Sequence, residues 1–130
     1  PMPSVRIVSR VNPSEDPEKV RTAILNVFPD AVIETEGGYA RGEAQSLSNF
    51  GLMIRRQKML DTTRAVLLKG MSGDRTRFLL NKQVALVGKI SFCDRGQVLG
   101  PIEVTVTDEG IEALIDRTAP GTVDGVEVRN

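Results

Sequence analysis

The fold of this chain is decided by residues 47–69, LSNFGLMIRRQKMLDTTRAVLLK, a helical segment that also holds the densest group of cations in the sequence. In its first half Leu47, Phe50 and Ile54 lie on one helical stripe, and continuing that stripe leads to the charged Lys58. The apolar residues of the second half lie on another stripe: Met59, Leu60, Val66 and Leu67. The segment is therefore either two helices that meet near position 57 or one helix that passes between two core surfaces.

Residues on both sides of this segment alternate between apolar and polar, which predicts strands. We expect strands at 4–11, 31–35, 39–43, 75–80, 89–93 and 102–107, and turns at 37–38 and 94–97. A helix follows Asp16, which suits the N-cap, and Pro17, which suits the first helical position. Asp108 is the expected cap of a last helix, and residues 81–88 form a short connection of one or two helical turns.

This order of elements predicts a single α+β domain over residues 4–121, with residues 122–130 as a C-terminal tail. We expect a mainly antiparallel sheet of about 4–5 strands, with helices packed on one side. The chain has 130 residues, 40% of them hydrophobic and 26% charged, as in an ordinary globular domain. No apolar run approaches the roughly 20 residues that a membrane span requires, so we expect a cytoplasmic protein without a membrane partner.

Histidine is absent from the sequence, and Cys93 is its single cysteine. The commonest general base and the commonest zinc ligand are therefore missing, which excludes Ser-His and Cys-His sites and most zinc sites. Cys93 falls in an expected strand, where a small core residue is the better interpretation than a nucleophile. We expect a non-enzymatic protein with no metal and no cofactor, and an enzyme of unknown type remains a minor alternative.

The net charge is zero, from 17 basic and 17 acidic residues, but the charges are unevenly distributed. Residues 44–95 contain ten basic groups and only three acidic ones, so the middle carries +7 and the two ends together −7. The ten cations are Arg55, Arg56, Lys58, Arg64, Lys69, Arg75, Arg77, Lys82, Lys89 and Arg95. This asymmetry indicates either contact with a polyanion or acidic ends that fold back onto the basic middle.

A cationic group within this middle is the candidate binding site, because guanidinium and ammonium groups suit phosphate. We predict RNA contacts from Arg55, Arg56, Gln57, Lys58, Arg64, Arg75, Arg77, Lys82, Gln83 and Lys89. Aromatic residues are few, and the four phenylalanines fit core positions, so base stacking is poorly supplied. We therefore expect contacts with the RNA backbone more than with splayed bases.

Five phrases of the sequence together resemble an archaeal family of small uncharacterised proteins grouped as RNA-binding. The phrases lie at 12–20 (NPSEDPEKV), 28–31 (FPDA), 56–64 (RQKMLDTTR), 80–85 (LNKQVA) and 99–102 (LGPI). The resemblance covers roughly residues 4–121 and implies an archaeal source. It also implies a fold similar to the large-subunit ribosomal protein that binds 5S RNA, and its RNA-binding function rests on that fold analogy.

Carried over by position, the polar residues that match the family are Arg56, Gln57, Asp61, Arg64, Asn81, Lys82 and Gln83. A structural alternative for two of them is an ion pair between Asp61 and Arg64, which are three positions apart on a helix. We predict a non-enzymatic RNA-binding module. The alternative is a protein–protein adaptor or dimerising subunit without nucleic acid, and a homodimer or a ribonucleoprotein partner is left open.

Overall fold

The alternating segments of the sequence form one sheet in the computed structural model, which describes residues 2–93 and 99–128. Within these residues the main sheet has six strands, slightly more than expected, and every pairing in it is antiparallel. The strands are β1 (Ser4–Arg10), β2 (Val32–Glu36), β3 (Tyr39–Ala44), β4 (Met71–Ser72), β5 (Arg75–Leu80) and β6 (Ile102–Thr107). Their order across the sheet is β2-β3-β1-β6-β5-β4.

The helices of the described residues belong to the same α+β domain and begin largely where the sequence signals them. They are α1 (Pro17–Val27), α2 (Ser48–Arg56), α3 (Leu60–Lys69), α4 (Lys82–Leu86) and α5 (Ile111–Thr118). Helix α1 starts as predicted, because the Asp16 carboxylate accepts a hydrogen bond from the Glu18 N–H at 3.0 Å and Pro17 occupies the first turn. In the part of the chain that is described, no helix has the length and apolar character needed to cross a bilayer.

The hydrophobic core fills the space between these helices and one face of the sheet. Alternate residues of each long strand point into it, so β6 buries Ile102, Val104 and Val106. A chain of aromatic contacts crosses the core, with ring centroids 5.4 to 6.2 Å apart: Phe28, Phe50, Phe78 and Phe92. The phenylalanines are therefore used for packing, as their positions predict.

Residues 47–69 form two helices and not one continuous helix, so the first of the two alternatives is confirmed. Helix α2 ends at Arg56, and α3 begins at Leu60. Lys58 lies between them with φ of 55°, in the left-handed region that non-glycine residues rarely adopt. The apolar stripe changes face because one helix ends and a second begins at this junction.

The strand expected at 89–93 is wrong, because only Phe92 forms a single bridge, with Leu80. Ile90 does not pair with a neighbouring strand, because the Gln57 side chain forms hydrogen bonds with both its N–H and its carbonyl group. The Gln57 carbonyl accepts from the Ile90 N–H at 2.7 Å, and the Gln57 amide donates to the Ile90 carbonyl at 2.8 Å. The predicted turn at 94–97 lies outside the described residues.

Asp108 is not the N-cap of α5, because that helix begins three residues later, at Ile111. The Asp108 carboxylate instead accepts a hydrogen bond from the Gly110 N–H at 3.1 Å and closes the turn before the helix. The inward positions of α5 are as predicted: Ile111, Leu114 and Ile115.

The segment expected as a C-terminal tail contains a short hairpin in its described part. Strands β7 (Thr122–Val123) and β8 (Val126–Glu127) pair across a two-residue turn. Asp124 and Gly125 form this turn with φ of 52° and 78°, the left-handed values that a tight hairpin needs.

Candidate nucleic-acid interface

Four ion pairs in the described part of the chain each join a cation of the basic middle to a carboxylate near one end. They are Arg55 with Glu127 at 2.6 Å, Arg64 with Asp116 at 2.7 Å, Arg77 with Glu103 at 2.7 Å and Lys82 with Glu15 at 3.0 Å. For these four cations the acidic ends do fold back onto the middle. For the other cations of the middle, contact with a polyanion stays a prediction.

Lys82 is the most enclosed of these cations, with 3% of its surface exposed. Its ammonium group donates to both carboxylate oxygens of Glu15 at 3.0 and 3.2 Å, to the Arg10 carbonyl at 2.6 Å and to the Leu99 carbonyl at 3.0 Å. The Asn12 side chain donates to the same carboxylate and to Leu99 at 2.8 Å each. Lys82 thus joins the end of β1, the turn before α1 and the approach to β6.

Arg55 and Arg64 likewise hold elements of the protein together. Arg55 donates from its guanidinium to the carbonyls of Gly51, Thr118 and Arg117 at 3.0 to 3.2 Å, in addition to its pair with Glu127. Arg64 pairs with Asp116 of α5, so the alternative ion pair between Arg64 and Asp61 is wrong.

Asp61 turns to the C-terminal hairpin instead. Its carboxylate accepts from the Thr122 N–H at 3.1 Å and from the Thr122 hydroxyl at 2.6 Å. The first turn of α3 is thereby fastened to the hairpin.

Three exposed cations remain close together where α2 meets α3, and we name Arg56, Lys58 and Lys89 the junction cations. Arg56 and Lys58 flank Gln57, and Lys89 precedes Ile90. The paired hydrogen bonds between Gln57 and Ile90 therefore bring all three into one neighbourhood. Within the described residues none of the three side chains has a hydrogen-bond or ion-pair partner.

A groove of about 630 Å³ opens beside this junction. Lys58 and the first turn of α3 line one side, and the hairpin lines the other through Thr122 and Glu127. Met59, the N-cap of α3, makes no side-chain hydrogen bond to the helix, so the first N–H groups lie at an electropositive helix end, where the first turn also carries the Asp61 carboxylate. The hairpin wall lies in the segment that is expected as a tail, although its Asp124-Gly125 dipeptide is a hairpin signal.

The other predicted residues lie elsewhere. Arg75 and Arg77 project from the sheet face that points away from the helices, where the Arg77 Nε donates to Glu103. That hydrogen bond raises the pKa of Arg77 above its ordinary value. Gln83 is exposed on α4 and, in the part of the chain that is described, has no hydrogen-bond partner.

A family model described as RNA binding matches residues 4–107 of this sequence. The chain belongs to this RNA-binding family. Its relatives are archaeal, as the resemblance implied. A UPF0200/UPF0201 protein of Archaeoglobus fulgidus is 43% identical over 128 residues, which span 96% of this chain but only 40% of that protein. A UPF0201 protein of Metallosphaera sedula is 37% identical, with 95% of this chain and 92% of the relative covered.

Solved structures of UPF0201 proteins confirm the α+β fold. The crystal structure of a UPF0201 protein from Methanococcus jannaschii has a TM-score of 0.88 and 37% identity, covering 97% of this chain and 99% of that one. A second UPF0201 crystal structure has a TM-score of 0.87 and 42% identity over 96% and 99% of the two chains. The likeness to the ribosomal protein that binds 5S RNA stays a prediction.

Proposed function

We propose that this chain is a non-enzymatic module that binds the phosphate backbone of RNA through the junction cations. The observation that carries the proposal is the grouping of Arg56, Lys58 and Lys89, without protein partners among the described residues, in a member of an RNA-binding family. Cations that already sit in ion pairs gain little from phosphate, because binding must first break an existing contact. Unpaired cations on one surface release counterions from RNA without that cost.

The surroundings of the junction favour phosphate over bases as the group that is recognised. The aromatic rings that could stack on bases lie elsewhere, since Phe28, Phe50 and Phe78 are buried in the core. Tyr39 is exposed on β3 but lies under the guanidinium of Arg41, 4.8 Å from the ring centre.

The other predicted contact residues take different roles in this proposal. Gln57 positions Lys89 through Ile90, and Arg55, Arg64 and Lys82 hold the scaffold. Arg75, Arg77 and Gln83 lie on other surfaces and contribute to RNA binding only through long-range charge.

The test is a charge reversal at the junction, Arg56→Glu with Lys58→Glu and Lys89→Glu, measured by fluorescence anisotropy with a labelled RNA duplex. We expect RNA affinity to fall by roughly 10- to 100-fold or more at low salt, because three attractive phosphate contacts become repulsive. The same measurement on a single-stranded RNA of equal length compares the two substrate classes.

The matched control reverses three exposed cations away from the junction, Lys19→Glu with Lys69→Glu and Arg75→Glu. This variant has the same net charge as the junction variant, so the effect of total charge is identical in both. Thermal unfolding followed by circular dichroism verifies that both variants are folded. Equal losses of affinity in the two variants would contradict a site at the junction, and RNA binding absent from the wild type would contradict the function.

A further inference from the structure

The groove between the first turn of α3 and the C-terminal hairpin, which we name the junction groove, carries both signs of charge. Its lining includes two cations, Arg55 and Lys58, and two carboxylates, Asp61 and Glu127. These four formal charges sum to zero, whereas the three junction cations are all positive. A ligand that fills the groove must therefore bring hydrogen-bond donors for the carboxylates as well as an anion for Lys58.

The two carboxylates differ in what they leave available to a ligand. Both oxygens of Asp61 accept hydrogen bonds from Thr122, at 3.1 Å from its N–H and at 2.6 Å from its hydroxyl. Glu127 uses only Oε1, which accepts from the Arg55 Nε at 2.6 Å. Within residues 2–93 and 99–128 its Oε2 has no hydrogen-bond partner, and its side chain is 24% exposed. Glu127 therefore offers an open acceptor to the groove.

The contact with Arg55 holds this acceptor in place. Arg55 donates from its other guanidinium nitrogens to three backbone carbonyls, so it is itself anchored to α2 and to the end of α5. The Glu127 carboxylate is thus fixed on the wall of the groove before any ligand arrives. An ionised carboxylate accepts hydrogen bonds and cannot donate them, so the group that meets Glu127 must be a donor.

The donor of RNA that lies next to a phosphate is the ribose 2′-hydroxyl. Phosphate oxygens only accept and are repelled by a carboxylate, and the base N–H groups of a duplex are engaged in base pairs. A-form RNA instead displays its 2′-hydroxyls along a wide and shallow groove. Lys58 is a junction cation and also lines the junction groove, so a phosphate on Lys58 brings its own ribose to this groove. The volume of about 630 Å³ is sufficient for one nucleotide unit.

We propose that the junction groove recognises the ribose of the nucleotide whose phosphate lies on Lys58, with Glu127 Oε2 accepting a hydrogen bond from the 2′-hydroxyl. The ribose contact rests on the proposed function and deepens it. Phosphate contacts alone do not distinguish RNA from DNA, whereas a 2′-hydroxyl contact does. Glu127 is then the residue that selects RNA, while the junction cations supply the attraction for its phosphates.

The experiment compares two labelled duplexes of one sequence by fluorescence anisotropy at low salt. One is RNA, and the other is RNA with fluorine in place of every 2′-hydroxyl. The fluorinated duplex keeps its phosphates and the A-form shape but has no 2′ donor. We expect the wild type to bind the RNA roughly tenfold more tightly, because a hydrogen bond to an ionised acceptor is lost in the fluorinated duplex.

Glu127→Gln should reduce this ratio of affinities to about twofold or less. The Gln carbonyl oxygen still accepts from Arg55, and the amide NH₂ takes the place of the open oxygen, so the groove loses its acceptor and the scaffold keeps its contact. The matched control is Asp124→Asn, which removes one negative charge from the same hairpin but outside the groove lining. Asp124 has φ of 52°, a value that Asn also tolerates. The control should keep the wild-type ratio, and circular dichroism verifies that both variants are folded.

Equal binding of the two duplexes by the wild type would overturn the ribose contact and leave the proposed function intact. A ratio that Glu127→Gln leaves unchanged, or that both variants lose alike, would also overturn the ribose contact. A wild type that binds neither duplex would overturn the proposed function and the ribose contact together.

Discussion

Replacing Lys82 by Met removes the buried cation of this fold and keeps a side chain of similar length. Glu15, whose side chain is 12% exposed, then loses its charged partner. The carbonyls of Arg10 and Leu99 lose a donor at the same time. Breaking a buried ion pair from one side costs about 3–5 kcal/mol, so we expect the free energy of unfolding to fall by that amount.

The pH dependence of this loss follows from the ionisation of Glu15. Burial by itself raises the pKa of Glu15, but hydrogen bonds from the Asn12 backbone and from Lys82 outweigh it, and the pKa lies below its ordinary value. A carboxyl group whose pKa is lowered in the folded state stabilises the wild type at pH values above its ordinary pKa. This stabilisation is lost as the pH falls through the pKa of the folded state. In Lys82→Met, protonation of Glu15 removes the free-energy cost of an unpaired buried charge. The difference between variant and wild type should therefore be smaller near pH 4 than at pH 7.

Urea unfolding followed by circular dichroism at both pH values measures these differences. The matched control is the double variant Lys82→Met with Glu15→Gln, which removes both charges. It should recover about 2 kcal/mol or more of the single variant's loss, because no unpaired charge stays buried. A cost below about 1 kcal/mol for Lys82→Met, or a cost equal at both pH values, would refute the reasoning.

Three further substitutions test packing and the junction. The Thr63 hydroxyl is buried in α3 without a hydrogen-bond partner among the described residues. Thr63→Val should therefore raise the free energy of unfolding by about 1 kcal/mol. A lower melting temperature of the variant in thermal unfolding would show that the hydroxyl has a hydrogen-bond partner. A side chain on Gly70 would place its Cβ 2.1 Å from the Arg77 carbonyl oxygen. Gly70→Ala should cost about 2 kcal/mol or more in urea unfolding, and a neutral result would contradict this close approach. Gln57→Ala releases Ile90, so it should lower stability by about 1–3 kcal/mol and also weaken RNA binding without changing any charge. Unchanged RNA affinity would show that Lys89 needs no such positioning.

Local signals in the sequence predict most of the fold because they act over a few residues. Asp16 and Pro17 fix the start of α1, and alternation places Arg75 and Arg77 on one face of β5. The change of stripe within residues 47–69 marks the junction of α2 and α3, although periodicity alone leaves one helix or two open. The expected strand at 89–93 fails because a distant side chain, Gln57, takes the backbone groups of Ile90.

The site is less predictable, because charge counts along a chain do not say which charges meet in space. Lys82 resembles any other cation of the middle in the sequence, yet the fold buries it against Glu15, which lies 67 positions away. Lys89 is a junction cation only because Gln57 holds its neighbour. Long-range pairings of this kind need the assembled sheet and have no counterpart in spacing or composition.

The salt dependence of RNA binding tests the central claim most directly. The slope of log association constant against log salt concentration reports the number of phosphates that are neutralised. Three junction cations predict a slope of about −2 to −3 for the wild type. Arg56→Gln with Lys58→Gln and Lys89→Gln should bring it close to zero, while neutralising Lys19, Lys69 and Arg75 should leave it unchanged. A slope that is the same in the junction variant and the wild type would contradict the claim that these three cations hold the RNA.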